Sequence, residues 1–363
     1  MKRVIISGGG TGGHIFPAVA IADELKRQFP EVEILFVGAE GKMEMEKVPQ
    51  AGYKIIGLPI AGLQRKLTLK NLALPFKIIK SIVLARKIVK QFQPQVVIGV
   101  GGYASGPTLK AASMLGIPTL VQEQNSFAGK TNMLLAKKAR TLCVAYEGME
   151  KFFPKEKIVM TGNPVRLEVT QIEGKKQEAL AFYGLDASRP TLLVIGGSLG
   201  ARTLNEALIA GIEKLQGAGI QVLWQCGKLY YEELTNRLKG KDLTGIHLTQ
   251  FISRMDLAYA LADVIISRAG AISVSELCLI KKPAILVPSP NVAEDHQTHN
   301  AMALVTKQAA VLVKDVDART MLIDEAIQLM NNKELQVTLA GNIAHLGRPA
   351  ATKDIVNEIT KIG

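Results

Sequence analysis

Cysteine is scarce in this 363-residue chain: Cys143, Cys226 and Cys278 lie far apart, and none belongs to a CxxC pair. Neither a disulfide framework nor a zinc site is expected, and a reducing compartment suits such usage. No run of about 18 apolar residues exists, which excludes a membrane-spanning helix as the reading. The apolar run after Lys2 and Arg3 stops within a few residues, so no secretory signal peptide is expected. Short-period repeats and low-complexity tracts are missing too. The most telling absence is of negative charge. Between Glu46 and Glu123 there is no acidic residue, while Lys47, Lys54, Arg65, Lys66, Lys70, Lys77, Lys80, Arg86, Lys87, Lys90 and Lys110 all fall inside that stretch. Nearly the whole net charge of +12 is placed there, which points to an anionic surface as partner.

What is present is glycine in the right places. Ser7-Gly8-Gly9-Gly10-Thr11-Gly12-Gly13-His14 follows the apolar run Val4-Ile5-Ile6 and precedes a helical pattern through Ile15, Val19, Ala22 and Leu25. That order reads strand, glycine turn, helix, with free N–H groups and a positive dipole end aimed at an anion near residues 8–14. Val32–Val37 and Lys54–Pro59 read as further strands, 75–91 as a helix with Pro75 in its first turn, and Gln95–Gly99 as a strand. A second turn, Gly99-Val100-Gly101-Gly102, precedes a helix through Pro107–Leu115, and strands follow at Pro118–Val121 and Arg140–Val144. After Gly162-Asn163-Pro164-Val165-Arg166 and a polar segment, Glu173–Glu178, the pattern restarts. Thr191–Ile195 is a strand, Gly196 to Arg202 a third glycine turn, and Thr203–Leu215 a helix. Strands at Gln221–Trp224, Val264–Ser267 and Ala284–Val287 complete it. Length alone favours two domains, and the alternation makes each an α/β doubly wound parallel sheet. Two similar domains facing a cleft are expected, with the glycine turns at the carboxyl ends of their strands lining it.

Several residues carry candidate chemistry. Gly8-x-Gly10-x-x-Gly13 formally matches a dinucleotide fingerprint, but Gly38 and Ala39 stand where an acidic residue should end the second strand, with Glu40 beyond. His14, surrounded by glycines, is open to a ligand, and a neutral imidazole there can serve as general base; the plainer reading is a helix-entry histidine that bonds backbone. In Ser267-Arg268-Ala269-Gly270-Ala271-Ile272-Ser273-Val274-Ser275-Glu276 a strand again runs through a turn into a helix. Phosphate at that helix start would place a ribose near Glu276, whose carboxylate could accept two hydroxyls. Asp295, His296 and His299 suggest a metal only weakly, because their side chains diverge. Gln297 and Asn300 suit sugar hydroxyls. Asp315-Val316-Asp317 is a formal DxD, with Asp317 better placed as a helix N-cap.

The stretch Leu69–Lys90 is amphipathic in an unusual way. At 100° per residue, Leu72, Leu74, Phe76, Ile78, Ile79, Ile82, Val83 and Val89 span more than half the circumference, and Lys70, Lys77, Lys80 and Lys87 hold the rest. A helix packing on a sheet needs a narrower stripe. Leftover apolar area ringed by lysine matches interfacial binding to anionic lipid. The alternative is an ordinary core helix with a solvated basic face. Stacking aromatics do not interleave with these bases, so nucleic acid is not expected as a partner.

With these residues in hand the chain resembles the MurG family of UDP-N-acetylglucosamine transferases, end to end. The matching motifs are Gly9-Gly10-Thr11-Gly12-Gly13-His14-Ile15-Phe16-Pro17, Gly101 to Pro107, Glu123-Gln124-Asn125, Gly162 to Arg166, Gly196 to Arg202, Arg268 to Glu276, and Gln297-x-x-Asn300-Ala301. Leu199 departs from the pattern, since glutamine is expected there. The resemblance implies a GT-B-type enzyme with an acceptor and membrane-associating domain over 1–163, a UDP-sugar domain over 164–344, and a terminal helix within 345–363 packing back on the first. It implies inverting transfer of N-acetylglucosamine from UDP-N-acetylglucosamine to the 4-hydroxyl of undecaprenyl-diphospho-N-acetylmuramoyl-pentapeptide. That step belongs to peptidoglycan and cell-wall biosynthesis, on the cytoplasmic face of the inner membrane, with no cofactor and no metal. Thr11, Gly12, Gly13, Asn125, Arg166, Ser198, Ile252, Ala271, Ile272, Ser273, Val274, Ser275, Glu276 and Gln297 would contact the donor. Ile252 would read uracil through its backbone, Glu276 the ribose, and Ser198 with Arg166 the diphosphate. Gly10, Gly101, Gly102 and Tyr103 would hold the acceptor diphosphate, with His14 as catalytic base. The rival readings are another UDP-sugar glycolipid transferase, a UDP-N-acetylglucosamine 2-epimerase, and a non-catalytic nucleotide-sugar sensor.

Overall fold

Runs of Val, Ile and Leu without polar alternation make strands buried on both faces, which is the condition for an all-parallel sheet. The computed structural model describes residues 1–60 and 74–363. Its contacts divide the chain into two units, Met1–Val165 with Arg348–Gly363, and Arg166–Gly347.

In the first unit the strands are β1 (Arg3–Ser7), β2 (Glu33–Ala39), β3 (Lys54–Leu58), β4 (Val96–Gly99), β5 (Thr119–Glu123), β6 (Thr141–Val144) and β7 (Ile158–Met160). They pair in parallel in the order β3-β2-β1-β4-β5-β6-β7. Helices α1 (Gly12–Gln28), α2 (Glu44–Gln50), α3 (Leu74–Phe92), α4 (Ser105–Met114) and α5 (Lys130–Ala136) join them. One face packs Ala85, Ile88 and Val89 of α3 and Leu109 and Ala112 of α4 onto Val97, Val121 and Leu142. The other packs Ile15, Ile21 and Leu25 of α1 onto Val4, Ile6 and Ile98, joined by Ile355, Val356 and Ile359 of the terminal helix, Ala351–Ile362. The chain therefore ends on the sheet where it began.

The second unit repeats the plan. Strands β8 (Thr191–Ile195), β9 (Gln221–Gln225), β10 (Ile246–Thr249), β11 (Val264–Ser267), β12 (Ala284–Leu286) and β13 (Val311–Leu312) run in the order β10-β9-β8-β11-β12-β13. Its helices are α6 (Lys176–Tyr183), α7 (Arg202–Gly217), α8 (Tyr231–Arg237), α9 (Met255–Leu261), α10 (Ala271–Ile280), α11 (His296–Val305), α12 (Ala318–Asn331) and α13 (Lys333–Ala344), so the terminal helix is α14. Both sheets carry the doubly wound Rossmann order, which reverses at β1/β4 and at β8/β11.

The strands and helices expected from the sequence are present. The structure adds β7, β10 and β13, each at a sheet edge and only two to four residues long; β7 and β13 are apolar but too short to mark a strand by pattern. The polar segment Glu173–Glu178 runs into α6, because Ala179, Leu180 and Tyr183 just beyond it supply one buried face.

Candidate active site

Strand order decides what meets what. β1 and β4 are neighbours, so the turns that leave them emerge side by side at the first unit's reversal point. There they touch: a Cβ built on Gly102 would lie 2.4 Å from the carbonyl oxygen of Gly9. The two turns expected to hold one diphosphate thus form a single floor made from Gly9, Gly10, Gly101 and Gly102. Tyr103, at the end of this floor, is exposed.

His14 stands over that floor. Its Nδ1 lies 3.0 Å from the carbonyl oxygen of Gly9 and 3.5 Å from Thr11 Oγ1. A carbonyl can only accept, so the proton of the neutral ring belongs on Nδ1 and the lone pair on Nε2. The Cδ2–Nε2 edge of the ring abuts the second turn, where a Cβ on Gly101 would fall 2.7 Å from Cδ2 and 2.8 Å from Nε2. Gly101, at φ +94°, is therefore required on two counts. Thr11 is the N-cap of α1 in extended conformation, and it makes no side-chain cap. The first-turn amides of Gly12 and Gly13 have no acceptor within the helix, and no acidic side chain occupies that turn.

Asn125 is placed by the carboxylate two residues before it. Glu123, buried at the end of β5, accepts from the Asn125 amide at 3.0 Å, its Nδ2 at 3.3 Å, Gly129 N at 3.0 Å and Asn132 Nδ2 at 2.9 Å. A carboxylate with this many donors needs no cation to be buried. Beside it, Gln124 Nε2 donates to Val100 O, and Asn163 Nδ2 to Gln124 O. Those bonds tie the second turn to the segment that leaves the first unit.

In the second unit β8 and β11 are the neighbouring strands. Ser198 and Leu199 are exposed in the turn after β8. Arg268, leaving β11, donates to the carbonyls of Val287 and Pro288 and to Asp315 Oδ1, while Asp315 Oδ2 accepts from Thr203 Oγ1 at 3.0 Å. Asp315 is thus a strut between two turns. Asp317 is the N-cap residue of α12 as expected, but its carboxylate makes no cap bond; its carbonyl accepts from Thr320 N and Met321 N.

Along α10, Ala271 and Val274 are buried, whereas Ile272, Ser273, Ser275 and Glu276 are half-buried. Tyr259 of α9, itself buried, donates to Glu276 Oε2 at 2.7 Å. Burial pushes the Glu276 carboxyl above its usual range, opposed by that hydrogen bond and by the Arg166 guanidinium. The signal for Tyr259 was in the sequence, since a tyrosine inside the apolar run Leu257–Leu261 needs a partner for its hydroxyl. Gln297 has its Oε1 engaged by Ser289 N at 2.8 Å, which turns its amide donors outward from that bond. Asn300 corrects the reading that paired it with Gln297 toward sugar: it is fully buried and donates to Ala269 O at 3.2 Å, so it shapes the Arg268–Gly270 turn. The Ile252 side chain is buried in the core, consistent only with a backbone contact to any ligand. Among the described residues no group of three or more His, Cys, Asp or Glu side chains is gathered as a metal ligand set.

The basic helix α3 leaves apolar surface uncovered. Ser81, Ala85, Ile88 and Val89 face the core, so Val89 leaves the expected apolar surplus. Phe76 (77% exposed), Ile79 (61%) and Val83 (64%) do not. They form one row at i, i+3 and i+7, continued toward the helix end by Arg86, Lys87 and Lys90, all exposed. Leu69, Lys70 and Leu72 of the expected stretch lie outside the described residues. No helix among the described residues is long and apolar enough to cross a membrane.

Comparison with known proteins fits both units. The N-terminal domain of glycosyltransferase family 28 matches residues 4–144, and its C-terminal domain residues 191–355. A UDP-N-acetylglucosamine–N-acetylmuramyl-(pentapeptide) pyrophosphoryl-undecaprenol N-acetylglucosamine transferase from Phocaeicola vulgatus is 56% identical over 361 residues, 99% of this chain and 96% of that one. The protein of the same name from Cytophaga hutchinsonii is 58% identical over 360 residues, again 99% and 96%. The crystal structure of Acinetobacter baumannii MurG superposes with a TM-score of 0.79 at 31% identity, covering 99% of this chain and 100% of that one. A UDP-GlcNAc 2-epimerase from Neisseria meningitidis, bound to UDP-GlcNAc, reaches a TM-score of 0.67 at 16% identity over 99% of this chain and 100% of that one, a likeness of fold alone.

Proposed function

This chain belongs to the MurG family within glycosyltransferase family 28, and from that premise we propose that its two glycine-floored crevices divide one transfer reaction between them. The enzyme is a UDP-N-acetylglucosamine-dependent glycosyltransferase that converts the undecaprenyl-diphospho-muramoyl-pentapeptide of peptidoglycan synthesis to its disaccharide form. In the second unit, Ser198 and Arg166 meet the donor diphosphate at the N-terminus of α10. The Ile252 backbone reads uracil, Glu276 takes the ribose hydroxyls, and Gln297 directs its amide donors to the sugar. In the first unit, Gly10, Gly101, Gly102 and Tyr103 hold the acceptor diphosphate. Thr11, Gly12, Gly13 and Asn125 also contact the donor.

His14 is the base. Its Nε2 takes the proton of the muramoyl 4-hydroxyl as that oxygen attacks the anomeric carbon, and UDP departs from the opposite face with inversion. Negative charge grows on UDP as the bond breaks, and Arg166 with the N-terminal amides of α10 offsets it. The observation that carries this assignment is the 3.0 Å contact from His14 Nδ1 to Gly9 O, which fixes the tautomer with Nε2 as acceptor.

The row Phe76, Ile79 and Val83, backed by Arg86, Lys87 and Lys90, supports a peripheral seat on anionic lipid at the cytoplasmic face of the inner membrane. Each base near such a surface contributes about 1 kcal/mol. The test is label transfer: purified protein, radiolabelled UDP-N-acetylglucosamine and membranes, with and without the muramoyl lipid. Label should enter lipid only when the acceptor is present. Turnover of the UDP-sugar without acceptor would favour an epimerase, and binding with no lipid product a sensor.

A further inference from the structure

One buried carboxylate at the acceptor floor has no part in the chemistry above. Glu44, in the first turn of α2, is 1% exposed. Its Oε2 accepts from Gly10 N at 2.8 Å and its Oε1 from Ala39 N at 2.9 Å. One oxygen therefore grips the turn after β1, and the other grips the end of β2. The side chain is clasped on both sides, since a Cβ on Gly9 would fall 2.2 Å from its Cδ and one on Gly38 would fall 2.6 Å from its Cγ. Gly9 is also the residue whose carbonyl receives His14 Nδ1. Glu44, Gly10, Gly9 and His14 thus form one continuous chain of contact.

The location is informative. At the end of the second strand, a dinucleotide-binding unit keeps a carboxylate to read a ribose hydroxyl. Here Gly38 and Ala39 end that strand, and the buried carboxylate that reaches it comes from Glu44 of α2, with one oxygen on each of two main-chain amides, so it braces the floor.

We propose that Glu44 is a positioning residue for the transfer: by tying the turn after β1 to the end of β2, it sets the height of the Gly9 carbonyl and so the direction of His14 Nε2. The proposal rests on His14 being the base. The full-length protein with lipid acceptor tests it through Glu44→Ala, Glu44→Gln, His14→Ala and the Glu44→Ala/His14→Ala double variant, each with kcat, both KM values and UDP affinity. Glu44→Ala should lower kcat about 10- to 100-fold, the scale of a misplaced reacting group, with UDP affinity within about twofold. Glu44→Gln keeps the size and one acceptor oxygen, and should recover part of the rate. In the His14→Ala background the Glu44→Ala change should cost less than about threefold, because residues acting through one another are not additive.

A kcat within twofold of wild type for both Glu44 variants overturns the proposal, as does an undiminished effect in the His14→Ala background. Should Glu44→Ala fail to fold, Glu44→Gln carries the same comparison alone and in the His14→Ala background. If His14→Ala is slow while the Glu44 variants turn over normally, only the role of Glu44 falls. If His14→Ala itself turns over normally, the base assignment falls and takes this proposal with it.

Discussion

The two units share a strand order and a glycine turn after the first strand, yet they spend their acidic residues in opposite ways. In the first, Glu44 is buried and both oxygens hold backbone. In the second, Glu276 is half-buried, with one oxygen steadied by Tyr259. The first crevice is therefore a glycine floor braced by a carboxylate with an imidazole above it, and on the proposed function it takes the diphosphate that carries no nucleoside. On the same proposal the second keeps the Glu276 carboxylate for hydroxyls, beside the N-terminus of α10. One topology thus supports two recognition chemistries, and the difference lies in which side chain reaches the end of which strand.

That contrast can be broken experimentally. The largest effect is expected from His14→Ala, which should cut kcat about 10²- to 10⁴-fold, the usual contribution of a general base, while leaving UDP affinity nearly unchanged in calorimetry. Equal losses in both quantities would mean that the units do not divide the work. Next comes Glu276→Ala, expected to raise the KM for UDP-N-acetylglucosamine about 10- to 100-fold, since hydrogen bonds to a charged group contribute roughly 1.5–3 kcal/mol. The KM for the lipid acceptor should stay within about twofold, as steady-state kinetics with both substrates varied would show.

A third test concerns the face outside both crevices. Ile79→Glu with Val83→Glu should weaken partition onto anionic vesicles about tenfold or more, given roughly 1.5–3 kcal/mol for each buried aliphatic side chain. Turnover of a detergent-dispersed acceptor should be unaffected, so sedimentation with vesicles and a detergent assay together separate membrane seating from catalysis. The smallest effect sharpens the contrast in pH. Burial raises the Glu276 carboxyl, so donor affinity should fall on acidification sooner than it would for an ordinary carboxylate. Tyr259→Phe removes a hydrogen bond that holds the ionised form, so the midpoint of that loss should move to higher pH, with affinity a few-fold weaker below it. UDP titrations across the acid range check the direction, and a midpoint moving to lower pH would contradict the role given to Tyr259.

Much of this architecture was legible in one dimension. Apolar runs of three or four residues followed by Gly-Gly turns specify strand, turn and helix by local sterics alone, and their alternation specifies parallel sheets. The same local reading singles out His14 and Glu276 as candidates, because each sits within a turn or two of a glycine-rich helix start. It missed β7, β10 and β13, edge strands of two to four residues that are too short for a pattern to tell them from loop. It also placed Asn300 toward sugar, whereas the neighbouring turn claims its amide.

What the chain order by itself determined, then, was the set of elements and the residues that stand at their ends, since period and turn chemistry act over a few bonds. What only the tertiary structure decided was partnership: Glu44 rather than Glu40 or Glu46 at the acceptor floor, Glu123 beneath Asn125, Tyr259 behind Glu276, and the exposed rather than buried row of α3. Nothing local distinguishes those residues from their neighbours. Their roles come from hydrogen bonds and packing between segments distant in sequence or on different elements, and such bonds exist only once the sheets have set their strand order.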